Sequence, residues 1–183
     1  MIRNWSLLLV VLLLITSCKK EMEKGLRLGD WWAEMEVSEG KPLPFNFTLS
    51  KDEGGNYIMK MYNAEEEVVV DEFTFDGDSI NIRMPIFEGH ISGTYTENEI
   101  NGEFIEESKE RRVPFRAMYG KHDRSVVQQD ATVNISGIWE TYFNVNTDGE
   151  YPAKGIFMQN GNKVKGTFRT NTGDYRYLEG VVS

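Results

Sequence analysis

The chain has 183 residues, with 20 Lys and Arg against 29 Asp and Glu, and its formal net charge at pH 7 is −9. Because nucleic-acid binding depends on basic side chains that neutralise phosphates, this acidic balance argues against a nucleic-acid partner. The single cysteine, Cys18, excludes an intrachain disulfide and a Cys-x-x-Cys redox pair within these residues.

The first 17 residues have the plan of a secretory signal peptide. Arg3 precedes an unbroken apolar run at 7–15, which is too short for a membrane-spanning helix of about 20 apolar residues. The residues Ile-Thr-Ser before Cys18 resemble the lipobox of bacterial lipoproteins. We therefore expect signal cleavage after residue 17, a lipid on Cys18 and a lipidated tether at 18–28. The expected location is the cell envelope, facing the periplasm or the cell surface, with the lipid in a membrane.

The first β-prone segments follow this tether. Residues 31–37 alternate in polarity, as a half-buried strand does. In the next segment Phe45, Phe47 and Leu49 share one face, with polar residues between them. The alternation predicts that these three side chains point into a core.

A longer run at 68–75 leads to Asp76-Gly77-Asp78, which is typical of a hairpin turn because Asp and Gly accept a positive φ. The other predicted strands are 57–62, 79–84, 91–96, 100–105 and 113–118. Short strands with a turn about every 8–12 residues predict an all-β, antiparallel sandwich or barrel. No long segment has a sustained helical period.

The β pattern restarts late in the chain. Gly29-Asp-Trp31 matches Gly137-Ile-Trp139 at an offset of 108 residues. This match predicts two related β units, at 29–118 and 137–183, joined by a linker at 119–136. Because the second unit is shorter and finishes in an apolar strand, we expect it to be incomplete and the chain to be the front portion of a longer protein.

Aromatic residues supply the candidate contact sites. A Trp that follows Gly in a first barrel strand commonly fills the core, so Trp31 and Trp139 are predicted to be buried. Alternation places Trp32 on the opposite face, which makes it a candidate for ligand or partner contact. Further candidates for such contact are Tyr62, Tyr142 and Tyr151.

Other polar motifs favour structural roles. His90 and His122 are far apart and lack neighbours at zinc-ligand spacing. The acidic stretch at 65–72 is typical of a solvated edge, and two carboxylates at 76–78 are too few for a calcium loop. The sequence has no phosphate loop and no Gly-x-Ser-x-Gly elbow. We predict no catalytic residue, no metal ligand and no cofactor.

Six segments resemble one protein family. They are 29–35 (GDWWAEM), 43–47 (LPFNF), 62–66 (YNAEE), 78–87 (DSINIRMPIF), 113–117 (VPFRA) and 172–180 (TGDYRYLEG). This succession is similar to the N-terminal β region of envelope lipoproteins that carry a C-terminal thioredoxin-like domain, of the TlpA-type and redoxin thiol-disulfide oxidoreductases. The resemblance implies a non-catalytic β module whose downstream partner domain holds the Cys-x-x-Cys.

The sequence is also compatible with two other functions. The Gly-x-Trp that begins each unit is also similar to the first-strand motif of lipocalins, which would imply a lipoprotein that binds a small apolar ligand in a sizeable cavity. A carbohydrate-binding or partner-binding surface lipoprotein would instead expose a row of aromatic side chains on one sheet face.

Overall fold

The computed structural model of the chain describes residues 25–38, 40–86, 88–120, 122–124, 127 and 129–183. These residues form thirteen strands and one 3₁₀ turn at Glu107–Lys109. All strand pairings are antiparallel, which confirms the predicted fold class. The predicted signal peptide, Cys18 and most of the tether lie outside the described residues. Among the described residues, no helix is long and apolar enough to cross a membrane.

Nine strands form the first sheet. They are β1 (Gly29–Ser38), β2 (Lys41–Lys51), β3 (Tyr57–Asn63), β4 (Glu66–Val70), β5 (Glu72–Asp76), β6 (Ser79–Met84), β7 (Gly89–Tyr95), β8 (Glu99–Glu106) and β9 (Arg111–Tyr119). Their spatial order is β4-β3-β2-β1-β9-β8-β7-β6-β5, so β9 returns to pair with β1. In that pairing Trp31 lies opposite Tyr119, and Met35 lies opposite Phe115.

The strands at the two ends of this order, β4 and β5, lie close together, and the sheet is therefore a nearly closed barrel. The prediction of one strand over 68–75 is wrong, because the chain breaks at Asp71, with β4 pairing with β3 and β5 with β6. Across the gap, the ring of Tyr57 lies 5.8 Å from that of Phe73 and 5.4 Å from that of Phe75. The single-residue break therefore turns the chain from one edge of the sheet to the other.

The barrel interior is filled by side chains. Trp31 is fully buried, and its ring stacks on Phe47 at 5.9 Å between centroids. Phe45, Phe47 and Leu49 all point inward, as their alternation predicted. The Asp76-Gly77-Asp78 turn is also confirmed, since Gly77 has a φ of 58° between β5 and β6.

The second sheet is a four-stranded meander. Its strands are β10 (Gly137–Phe143), β11 (Tyr151–Asn160), β12 (Lys163–Arg169) and β13 (Leu178–Val181), and their spatial order follows the chain. The described residues between β9 and β10 form no regular strand or helix. Tyr119, which the sequence placed in the linker, is the last residue of β9.

The first hairpin of each sheet has the same register. Gly29 pairs with Leu49 in β1–β2, and Gly137 pairs with Phe157 in β10–β11, a displacement of 108 residues at both positions. Both glycines have a left-handed φ, of 122° and 128° respectively. The sequence repeat therefore corresponds to a repeated backbone geometry.

Polar contacts join the two sheets at the turn between β3 and β4. The Nζ of Lys165 lies 3.2 Å from the carboxylate of Glu65, and the guanidinium of Arg176 lies 3.0 Å from that of Glu66. Exposed ion pairs of this kind contribute about 0–1 kcal/mol each. The acidic stretch predicted to be a solvated edge thus also contacts the second sheet.

Candidate functional site

One face of the second sheet carries most of its aromatic side chains. We call this surface the aromatic face, and it consists of Trp139, Phe143, Tyr151, Phe157, Phe168 and Tyr175. The strand register brings them together, because Phe143 pairs with Tyr151 and Gly155 pairs with both Trp139 and Phe168. Tyr175, from the segment between β12 and β13, joins them by stacking on Phe143.

Phe143 is the centre of this cluster. Its ring stacks on Tyr151 at 5.3 Å and on Tyr175 at 5.4 Å, and it meets the edge of Phe168 at 5.1 Å. Phe157 packs edge-on against Phe168 at 5.5 Å. Each such pair contributes about 0.5–1.5 kcal/mol beyond the area it buries.

A glycine makes room for these rings. A Cβ on Gly155 would lie 2.7 Å from the ring of Phe157 and 3.1 Å from that of Phe168. In the barrel, the position 108 residues earlier holds Phe47, which is itself a core side chain. The second sheet therefore fills its face with rings from β11 and β12 that lean over a glycine.

The aromatic face is only partly covered. Trp139 is 48% exposed, whereas Trp31 at the matching position of the barrel is 0% exposed. The prediction that Trp139 is buried is therefore wrong, although its local geometry repeats. The indole Nε1 of Trp31 donates to the carbonyl of Arg27, and that of Trp139 donates to the carbonyl of Ile135, four residues back in both cases. The two tryptophans differ in the side chains and strands that cover their rings.

An open cleft of about 570 Å³ lies at one end of the aromatic face. Tyr151, Pro152 and residues 170–175 line it. The hydroxyls of Tyr151 and Tyr175 are 2.6 Å apart. This hydrogen bond with Tyr175 raises the pKa of Tyr151 above its ordinary value, since it favours the protonated hydroxyl.

Trp32, the leading contact candidate, lies on the outer face of the barrel under the chain's own linker. Its ring meets the edge of the His122 ring at 5.9 Å, and the neighbouring Asn46 donates to the carbonyl of His122 at 3.0 Å. Arg124 then contacts both sheets, donating to the carbonyl of Pro44 and lying 3.4 Å from Glu179. Trp32 is thus half-buried by the chain's own linker and is not fully exposed to solvent.

The three candidate tyrosines occupy different surfaces. Tyr62 is exposed on the outer face of β3, on the same side of the sheet as Trp32. Tyr142 is 59% exposed on the outer face of β10, where it pairs with Pro152. Tyr151 alone belongs to the aromatic face. The structure therefore does not bring the four predicted contact residues into one site.

The sequence pattern alone does not reveal most of the aromatic face. It does not distinguish Phe143, Phe157 and Phe168, because isolated phenylalanines in short strands are typical of ordinary core residues. Their register was a usable signal, since it follows from the 108-residue offset once the β1–β2 pairing is known.

The described residues contain no group of three or more His, Cys, Asp or Glu side chains that could hold a metal ion. Comparison with known proteins gives no match: no family model, no curated protein and no solved structure corresponds to this chain.

Proposed function

We propose that this chain is the lipid-anchored, non-catalytic β module of an envelope thioredoxin-like thiol-disulfide oxidoreductase. The thiol chemistry would belong to a downstream domain with a Cys-x-x-Cys at a helix N-terminus, where the positive end of the helix lowers the thiol pKa. The β module would hold that domain at a set position relative to the membrane and offer surfaces to its partners.

The observation that carries the proposal is the six-segment resemblance, which extends from Gly29 to Gly180. The all-β build agrees with the β region that this family places before its redox domain. The sequence supports the division of labour, because its single cysteine, Cys18, cannot form a dithiol pair. Cys18 would instead carry the lipid.

The filled interior of the barrel favours a scaffold over a lipocalin-like carrier. Phe47, Leu49 and Met59 are each about 1% exposed and pack with Trp31 in a single core cluster. A carrier of apolar ligands would need a cavity of several hundred cubic ångströms at such a position.

The first test is the reading frame after codon 183, followed by an assay of its full product. We expect a thioredoxin-like domain with a Cys-x-x-Cys, and reduction of insulin disulfides by the full product. The 183-residue chain serves as the control and should be inactive. A frame without a dithiol motif would contradict the proposal.

Lipidation is tested separately in a bacterial host. Cys18→Ser should move the protein from the detergent phase to the aqueous phase in a Triton X-114 partition. Met22→Ser, in the same tether, should leave it in the detergent phase. Aqueous partition of the unmodified protein would contradict the anchor.

A second candidate function, carbohydrate binding, is favoured by the cleft beside Tyr151 and Tyr175. Tyr175 is 47% exposed, and the same cleft carries the polar side chains of Asn171 and Asp174. Sugars commonly stack on exposed rings and bond to such polar groups. Glycan-array binding that is lost in Tyr175→Ala would support this candidate.

A further inference from the structure

The second sheet repeats the first four strands of the barrel. Beyond the shared β1–β2 and β10–β11 register, Leu49 pairs with Met59 as Phe157 pairs with Gly166. Met59 in turn pairs with Val70 across β3–β4, as Gly166 pairs with Leu178 across β12–β13. The two meanders therefore have equivalent pairings through all four strands.

The equivalent positions differ in what covers them. The barrel's inner-face residues Trp31 and Met35 correspond to Trp139 and Phe143 of the aromatic face. The barrel encloses its inner face because β5–β9 continue the sheet around it. Among the described residues, no strand plays that part for β10–β13.

The edge of β10 shows the same contrast. Its counterpart β1 pairs with β2 on one side and with β9 on the other. Within the described chain, β10 pairs with β11 alone. Its other edge therefore presents backbone donors and acceptors to an incoming strand.

In β12, side-chain polarity distinguishes the two faces of the strand. In β12 the charged residues Lys163, Lys165 and Arg169 alternate with Val164, Gly166 and Phe168. Charges thus point to the outer face, and the aromatic face carries none of these cations. This strand therefore has the alternation of a barrel strand with an apolar inner side.

We propose that the aromatic face of β10–β13 is the inner wall of a second barrel, closed in the full protein by further antiparallel strands of the same polypeptide. The last of these strands would pair with the open edge of β10, as β9 pairs with β1. The inference rests on the proposed function only in requiring a longer polypeptide.

The repeat also specifies the chemistry of the closing strand. Tyr119 lies opposite Trp31, Ala117 opposite Ala33 and Phe115 opposite Met35 in the β1–β9 pairing. A strand with the same alternation would place apolar side chains opposite Trp139 and Phe143. Its intervening residues would be polar and would face solvent.

The test compares hydrogen–deuterium exchange in the 183-residue chain and in the full product of its gene. We expect the amides of β10 to exchange about 100-fold more slowly in the full product, since both strand edges are then paired. The amides of β1 serve as the internal control and should exchange at the same rate in both proteins. Equal exchange of β10 in the two proteins would overturn the inference.

Two adjacent substitutions in the full product give a matched pair. Phe143→Asp places a charge on the inner face and should speed β10 exchange at least about tenfold. Tyr142→Asp, on the outer face, should leave exchange within about twofold. Equal effects would overturn the assignment of the inner face.

The reading frame separates this inference from the proposed function. New strands followed by a Cys-x-x-Cys domain would support both, and new strands without such a domain would support the inference alone. A Cys-x-x-Cys domain with no intervening strands would overturn the inference alone, and a stop codon would overturn both. A dimer of the 183-residue chain with β10 already protected, or a sugar that protects it, would also overturn the inference by supplying another occupant.

Discussion

The two sheets begin with the same local structure and reach different degrees of burial. Each starts with a left-handed glycine and a Trp whose indole bonds to the carbonyl four residues back. Yet Trp31 is fully buried, whereas Trp139 is half exposed. Local sequence thus defines the strand start and the ring orientation, while burial depends on a strand that is distant in the chain, β9.

The sheets also fill their inner faces differently. The first four strands of the barrel carry large side chains at most inner positions, including Phe47 and Met59. The matching positions of the second sheet hold Gly155 and Gly166, with the rings of Phe157 and Phe168 leaning over Gly155 and that of Phe157 over Gly166. The barrel is therefore packed between opposite walls, whereas the aromatic face packs within a single wall.

Replacement of the two equivalent tryptophans should show the largest difference. Trp31→Ala is expected to lower the free energy of unfolding of the barrel by about 3–5 kcal/mol, because it leaves a cavity in a closed core. Trp139→Ala in the same 183-residue chain should cost about 1 kcal/mol, since half of its surface is already in water. Urea-dependent hydrogen exchange, read on β8 for the barrel and on β11 for the second sheet, measures both costs.

Trp32→Ala serves as a control for the loss of an indole outside either inner face. It should affect the barrel less than Trp31→Ala does. Similar costs for Trp31→Ala and Trp139→Ala would show that the contrast in burial does not extend to stability.

Glycine substitutions should give the next largest difference. A Cβ on Gly93 would lie 2.7 Å from the Cα of its partner Gly102, where the backbone cannot easily retreat. We expect Gly93→Ala to cost about 1–3 kcal/mol. Gly155→Ala meets only the rings of Phe157 and Phe168 on a partly open face, so its cost should stay within about 1 kcal/mol. Chemical denaturation of both variants decides this, and a larger cost at Gly155 would reverse the comparison.

The smallest effect concerns the tyrosine pair at the open end of the aromatic face. Because the hydrogen bond with Tyr175 raises the pKa of Tyr151, Tyr175→Phe should lower that pKa towards its ordinary value. The sign for stability follows: the contribution of a raised pKa is complete below the unfolded value and is lost as pH rises through the folded one. Absorbance titration at alkaline pH measures the shift, with Tyr177→Phe as the neighbouring control.

The local sequence pattern predicts much of the fold. The alternation of Phe45, Phe47 and Leu49 predicted their shared inner face, and Asp76-Gly77-Asp78 predicted a hairpin. The break at Asp71 was missed, although the apolar positions change phase there, from Val68 and Val70 to Phe73 and Phe75. The pairing of β4 with β3 and of β5 with β6 shows that the chain turns at this residue, which places the two strands at opposite ends of the sheet order.

The candidate site was harder to predict, because it depends on contacts between segments that are distant in the chain. Trp32 was placed on the correct outer face, but its cover by His122 arises from a linker about 90 residues later. The aromatic face depends on the register of three strand pairs, which composition does not reveal. Tyr151 was the one candidate tyrosine on that face.

Residues at the start of the described chain pack against one end of the barrel. Leu26 is buried, its carbonyl accepts a hydrogen bond from Tyr57, and the amide of Arg27 donates to Glu97. If Cys18 holds a lipid as proposed, the eight residue steps to Leu26 can span at most about 28 Å. That limit sets how far this end can stand off from a bilayer.

The second sheet contacts the opposite end of β3. β3 leaves the Leu26 end at Tyr57 and reaches its turn at Asn63, where Glu65 and Glu66 hold Lys165 and Arg176. The tether and the second sheet would then be attached at opposite ends of the barrel strand β3. A tether that enters at the Leu26 end and a second sheet held at the other end of β3 would be separated by the length of that seven-residue strand, roughly 20 Å.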